Sequence, residues 1–197
     1  LLDAERAERE EEERRALQYA SVEGTEFLSS VTAMLLGVDE IDLEESLARI
    51  GKSHRLIDTL GAEELPDRTL ATRYRFSHAL YQNFLYSDLV NKRRIMLHQQ
   101  AGEQLLNHYG KRAPQIATQL AMHFELGREP MAALRCYVEA AEAALARLSP
   151  RECMDLTEHG LTLLGHAPEG TERDALEIAL ATLHGVSATH VHGVSSP

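Results

Sequence analysis

The chain has 197 residues, 44% of them hydrophobic and 26% charged, enough to bury one or two compact cores. Its formal net charge is −11, and residues 1–77 hold 10 Lys and Arg against 18 Asp and Glu. So acidic a first part argues against sequence-independent DNA binding, which needs a basic face to displace counterions, and a chain with no Trp, six Tyr and four Phe offers no stacking platform for single strands.

Residues 3–20 read as a helix dense in Glu and Arg. The charge run is a solvated face with i,i+4 pairs, or an acidic docking site. Ala16, Leu17 and Ala20 give its first apolar stripe, and Gly24-Thr25 breaks it. Ser29 or Ser30 is expected to cap a short helix over 31–36 that Gly37 stops in a left-handed turn. Asp39 or Asp42 then caps a third helix, in which Ile41, Leu43, Leu47 and Ile50 recur near helical spacing and Gly51 is the expected end. Leu56, Ile57 and Leu60 belong to one strand, and Leu70, Thr72, Tyr74 and Phe76 alternate in the next. Between them GAEELPDR, residues 61–68, carries the turn signal Pro66-Asp67.

From His78 onward every segment reads as helix, at 78–88, 91–109, 114–126, 130–148, 151–164 and 171–184. Pro114, Pro130 and Pro150 are placed in first turns, where a missing N–H costs nothing. Short connections favour antiparallel neighbours and hence an α-solenoid. Leu120, Ala121 and Phe124 on one helix and Ala133, Tyr137 and Ala140 on the next form a small-large-small pattern similar to the tetratricopeptide repeat (TPR). In the next unit Cys153 takes the place of a small Ala, and Gly160 weakens the helix.

Cys136 and Cys153 have no disulfide or metal spacing and lie among apolar residues, which predicts buried reduced thiols and a cytoplasmic location. No apolar run approaches the ~18 residues of a membrane span, and no signal peptide is visible. The chain begins at Leu1 and stops in GVSSP, and is expected to be an excised piece of a longer protein. Lys92, Arg93 and Arg94 form the one tight basic cluster, either a contact for an acidic partner or phosphate or a solvated helix start. His98 is expected to pack or hydrogen-bond locally. His190-Val191-His192 supplies too few ligands for the usual metal site.

The phrases ASVEGTEF (20–27), LPDRTLATRYRFSHALYQNFLY (65–86), RRIMLHQQAGEQL (93–105) and IATQLAMHFELGRE (116–129) resemble the region after the nucleotide-binding module in bacterial STAND-type signalling ATPases. The effectors fused to members of that family are often adenylate or guanylate cyclase domains or transcriptional regulators. The resemblance implies a mainly α fold: a winged-helix domain (three helices and a β-hairpin, with a wing at 64–68) over 1–90, TPR-like repeats over 91–185, and a tail at 186–197. Its implied function is a non-catalytic interaction segment that couples nucleotide state to sensing of a partner or ligand. Signal transduction and transcriptional regulation are the implied settings.

The chain lacks G-x-x-x-x-G-K-[ST] and any Gly-rich loop to cradle phosphates. No cofactor is expected on it, and ATP or ADP is expected on a neighbouring domain. The expected partners are that nucleotide-binding domain and a protein or small ligand on the solenoid, with no membrane partner. Ser77-His78-Ala79 stands where related switches carry Met-His-Asp, whose His meets the β-phosphate of ADP. The resemblance therefore makes His78 a nucleotide-sensing residue, although Ala79 departs from the pattern. The bland reading of His78 is a capping or half-buried junction residue. The alternative function is a DNA-binding winged helix with a helical oligomerisation region. Its recognition helix at 41–51 would present Asp42, Glu44 and Glu45 against a single Arg49, which phosphate repels.

Overall fold

The computed structural model describes residues 2–192, which are mainly helical with one small antiparallel sheet. The chain falls into two compact units that meet between Gly110 and Lys111. The expected boundary at residue 90 lies inside the first of them, because the helix after it packs on an earlier helix of the same unit.

The first unit runs α1 (Leu2–Ala20), β1 (Glu26–Leu28), α2 (Ser29–Leu36), α3 (Glu40–His54), β2 (Ile57–Glu64), β3 (Leu70–Phe76), α4 (Ala79–Asp88) and α5 (Asn91–Tyr109). The strand order is β1-β3-β2, with Phe27 opposite Tyr74 and Ile57 opposite Phe76. Register slips between Thr59 and Gly61, whose φ of 130° suits a bulge only glycine forms without strain. Tyr74 and Phe76, inward by period two, pack on Phe27, the first stacked and the second tilted, with ring centroids 5.5 and 5.3 Å away. They join Leu17, Leu43, Leu47, Ile50 and Ile57 in one buried cluster. Fully burying such side chains is worth roughly 1.5–3 kcal/mol each before chain entropy is counted.

Three local expectations change. Neither Ser29 nor Ser30 caps α2: Leu28 is its N-cap, and both serines lie inside the helix. Ser29 Oγ instead donates to Glu40 Oε1 (2.6 Å) and accepts from the Thr72 N–H (2.8 Å), tying α2 to α3 and β3. Gly51 does not end α3, which continues to His54 and closes on Arg55 in the left-handed region. A Cβ at Gly51 would stand 3.3 Å from the Ile57 carbonyl oxygen, so this glycine admits β2 instead of stopping the helix. The stretch GAEE, expected as loop, completes β2, and only Leu65–Thr69 turns, closed by Leu65 N–H to Thr69 C=O at 2.8 Å. Asp39 is the cap of α3, its carboxylate accepting from the Ile41 and Asp42 N–H groups.

The second unit has a 3₁₀ stretch (Gly110–Ile116), α6 (Ala117–Leu126), α7 (Pro130–Ala146), α8 (Pro150–Leu163), a 3₁₀ turn (Leu164–His166) and α9 (Thr171–His192). Pro114 therefore precedes α6 and does not open it. Residues 186–192, expected as tail, continue α9. Consecutive helices pack pairwise from α6 to α9.

Two connections here are built alike. Arg128 (φ 60°) and Leu148 (φ 59°) each hold a left-handed turn two residues before the proline that opens the next helix. The N–H of the residue between closes back on the preceding helix, Glu129 to Phe124 O and Ser149 to Ala144 O, at 2.8 and 2.9 Å. Gly160 lies mid-helix in α8, where a Cβ would meet Leu180 Cδ1 at 3.0 Å, so α9 approaches closely. Cys136 and Cys153 are buried free thiols, and burial raises the Cys136 thiol to about 12.

Candidate functional site

The segment with most site-like geometry is the join between β3 and α4. Strand β3 ends as the Ser77 N–H donates to the Leu56 carbonyl at 2.9 Å. His78 then turns the chain with extended backbone (φ −147°, ψ 135°) and caps α4. Its Nδ1 accepts from the Leu80 N–H at 3.1 Å. An acceptor Nδ1 has no proton, so the neutral ring carries it on Nε2 as a donor. The side chain is exposed, and its ring lies edge-on to Tyr81 at 6.2 Å.

Beyond His78 the outer face of α4 is apolar and uncovered: Leu80 and Phe84 are 67% and 66% exposed, and Tyr81 45%. Tyr81, Phe84 and Leu85 form one wall of a groove of about 590 Å³. Glu10, Glu13, Arg14 and Leu17 of α1 form the other, with Ile50, His54 and Leu56 between. The walls are held together by polar contacts, for Arg14 and Gln18 both donate to Asp88, and Gln82 Nε2 donates to the Ser21 carbonyl at 2.8 Å.

The basic cluster does not act as one group. Lys92 and Arg93 are exposed, whereas the Arg94 guanidinium lies 5.2 Å above the Tyr86 ring. The Tyr86 hydroxyl meets His98 Nε2 at 2.9 Å. Burial, with the nearby Arg94 charge, pushes His98 down to about 4, so the ring facing the phenol is neutral. His190 is exposed with Nδ1 on the Val186 carbonyl at 2.8 Å, and the side chain of His192 lies outside the described part. Among the described residues no group of three or more His, Cys, Asp or Glu is arranged to hold a metal.

Three polar arrangements were not read from the sequence. Glu23 is buried in the loop after α1, accepting from the Leu28 N–H (3.1 Å) and the Thr32 hydroxyl (3.2 Å). His108 on α5 meets Asp67 of the β2–β3 turn at 2.7 Å. Glu125 accepts from the Tyr137 hydroxyl at 2.6 Å and faces His159 Nε2 at 2.8 Å, joining α6, α7 and α8. Burial and the bond to Glu125 raise the Tyr137 phenol above its ordinary range. These pairs are 5 to 41 residues apart in sequence, outside the reach of any helical or strand period. The exposed face of α4 did leave a signal: apolar residues at 80, 81, 84, 85 and 89 make too wide a stripe for one buried side.

The chain is 28% identical over 125 residues, 64% of its length, to Uncharacterized protein R02095 of Rhizobium meliloti (strain 1021). The aligned stretch spans 12% of that much longer protein. No family model and no solved structure matches the chain.

Proposed function

We propose that this chain is a non-catalytic regulatory segment of a STAND-type signalling ATPase, coupling the nucleotide state of a neighbouring domain to what its helical unit binds. The observation that carries the reading is His78. Its Nδ1 is committed to capping α4, which leaves Nε2–H as the donor at a terminus where the helix dipole favours an anion. A donor of this kind suits a phosphate oxygen. The finer fold reading belongs to the same proposal: α2, α3 and the β2–β3 hairpin, with α1 beside them, as a winged helix, and α6–α9 as TPR-like repeats. The twin left-handed loops before Pro130 and Pro150 support a repeated unit.

The alternative, a DNA-binding winged helix, finds less support. The exposed face of α3 carries Asp42 and Glu45, and its Arg49 leans toward Glu13 at 3.8 Å.

The test is calorimetric titration of ADP into the chain extended to include its neighbouring nucleotide-binding domain. His78→Asn keeps a cap on α4 but removes the Nε2 donor. A hydrogen bond to a charged group is worth about 1.5–3 kcal/mol, so the variant is expected to bind ADP roughly ten- to a hundredfold more weakly. Unchanged affinity in His78→Asn would leave His78 as a capping residue and remove the main support for the proposal.

A further inference from the structure

The groove between α1 and α4 uses nothing of the phosphate chemistry proposed for His78, and its own composition specifies an occupant. On α1 the lining positions 10, 13, 14 and 17 are one helical stripe, spaced i, i+3, i+4, i+7. On α4 positions 81, 84 and 85 are another. Two helix stripes facing across a gap leave the shape that a third helix fills by packing ridges into grooves. A small apolar molecule in the groove would leave Leu80 and Phe84 uncovered, since both extend outward along α4. A helix laid along α4 covers them and the floor together.

The charge at the rim selects the flanks of that helix. Arg14 is already paired with Asp88. Among the described residues Glu13 pairs with Arg49 at 3.8 Å and Glu10 with the exposed i,i+4 partner Arg6 at 3.0 Å, a pair easily exchanged. The rim thus offers the exposed Glu10 carboxylate, with the half-buried Glu13 carboxylate next to it, beside an apolar floor. We propose that this groove is a docking site for an amphipathic helix of another protein or domain, with large apolar anchors at i, i+3/i+4 and i+7 and Lys or Arg on the flank facing α1.

The experiment measures binding to the intact chain of two fluorescent peptides of about 18 residues, five helical turns. They share one Leu-rich face, and one is flanked by Lys and the other by Glu. The Lys peptide is expected to bind at least about tenfold more tightly. Leu80→Gln with Phe84→Gln, two exposed positions at which the helix former Gln keeps the fold, should abolish binding. Glu10→Lys with Glu13→Lys should reverse the preference, whereas Glu169→Lys, on the exposed surface of the second unit, should not.

Equal binding of both peptides, or Lys-peptide binding that Glu169→Lys weakens as much as the rim reversal, would reduce the effect to general charge attraction and overturn the proposal. So would concentration-dependent self-association that Phe84→Gln abolishes, which would make a second copy the occupant. Failure of both peptides to bind would also sink it. None of these outcomes bears on ADP affinity, so the proposal and the reading of His78 fail separately.

Discussion

Glu23 is a carboxyl group held where water cannot reach it. Burial dominates and raises it to about 8, while its bonds from Leu28 and Thr32 and the charge of Arg73 pull down only in part. An acid whose folded pKa lies above its unfolded value keeps its proton in the fold while the unfolded chain loses it. Stability therefore falls as pH rises from about 4.5 to about 8 and is level above that. Glu23→Gln preserves the shape and one of the two acceptor oxygens without the charge. It is expected to remove this slope and to stabilise the protein at pH 8 by a few kcal/mol. Urea midpoints at pH 5 and pH 8 would show it, and equal pH slopes in the two proteins would contradict the assignment. The residue was visible in ASVEGTEF, but no local pattern distinguishes a glutamate that folds inward from Glu8, Glu10, Glu11 and Glu12 on α1, which face water.

At the scale of elements, the β2–β3 turn is fastened to α5. Asp67 Oδ1 accepts from the Thr69 N–H at 2.9 Å and Oδ2 meets His108 Nδ1 at 2.7 Å. Partial burial works to raise the Asp67 carboxyl, but those bonds outweigh it and hold it at about 2. Its contribution is present above its unfolded value near 3.8 and is lost as pH falls toward 2. Asp67→Ala removes both bonds and leaves a buried imidazole without that acceptor. The expected cost is about 1–2 kcal/mol, discounted because a third of the Asp67 side chain meets solvent. Hydrogen exchange of the Leu65–Thr69 amides should quicken in the variant. Protection unchanged there would mean that the turn is held by its own backbone closure.

The same scale shows why some elements were legible and others were not. Asp39 and Gly37 announce helix ends through chemistry contained in two or three residues, and the structure uses Asp39's side chain and Gly37's left-handed backbone as expected. Strand β1 has three residues, too few to display a period, and exists because Phe27 finds Tyr74 and Phe76. Gly51 and Gly160 read as helix breakers by propensity. Tertiary packing overrides it: β2 and α9 come close enough that a Cβ would crowd them, at 3.3 and 3.0 Å. Leu28 caps α2 without a polar side chain because Glu23, from the preceding loop, supplies an acceptor near the helix start. The candidate site divides similarly. His78 stood out through the resemblance of Ser77-His78-Ala79 to a family motif, at a place where a strand period ends, whereas the groove needs α1 and α4, some seventy residues apart, to be brought face to face.

At the scale of the whole molecule the charge distribution sets what the surface attracts. Of the 11 net negative charges, eight belong to residues 1–77. The candidate reader of a DNA groove, α3, lies within that acidic stretch, with Asp42 and Glu45 on its exposed face. Proteins that bind DNA through phosphates lose affinity steeply with salt because each neutralised phosphate releases a counterion. The exposed basic pairs Lys92-Arg93 and Lys111-Arg112 lie outside that acidic stretch and are too few to offset its field. It is expected to show no binding to a duplex stronger than the ~10⁻⁴ M end of non-specific affinities, even at 50 mM salt. Fluorescence anisotropy of a labelled duplex titrated with the chain is the measurement. Micromolar binding that weakens about a hundredfold or more between 50 and 200 mM salt would require a basic face formed across the structure, and would restore the DNA-binding reading over the regulatory one. Binding that is absent at both salts leaves the acidic surface to basic partners, which is the sign of flank that the groove beside α1 selects.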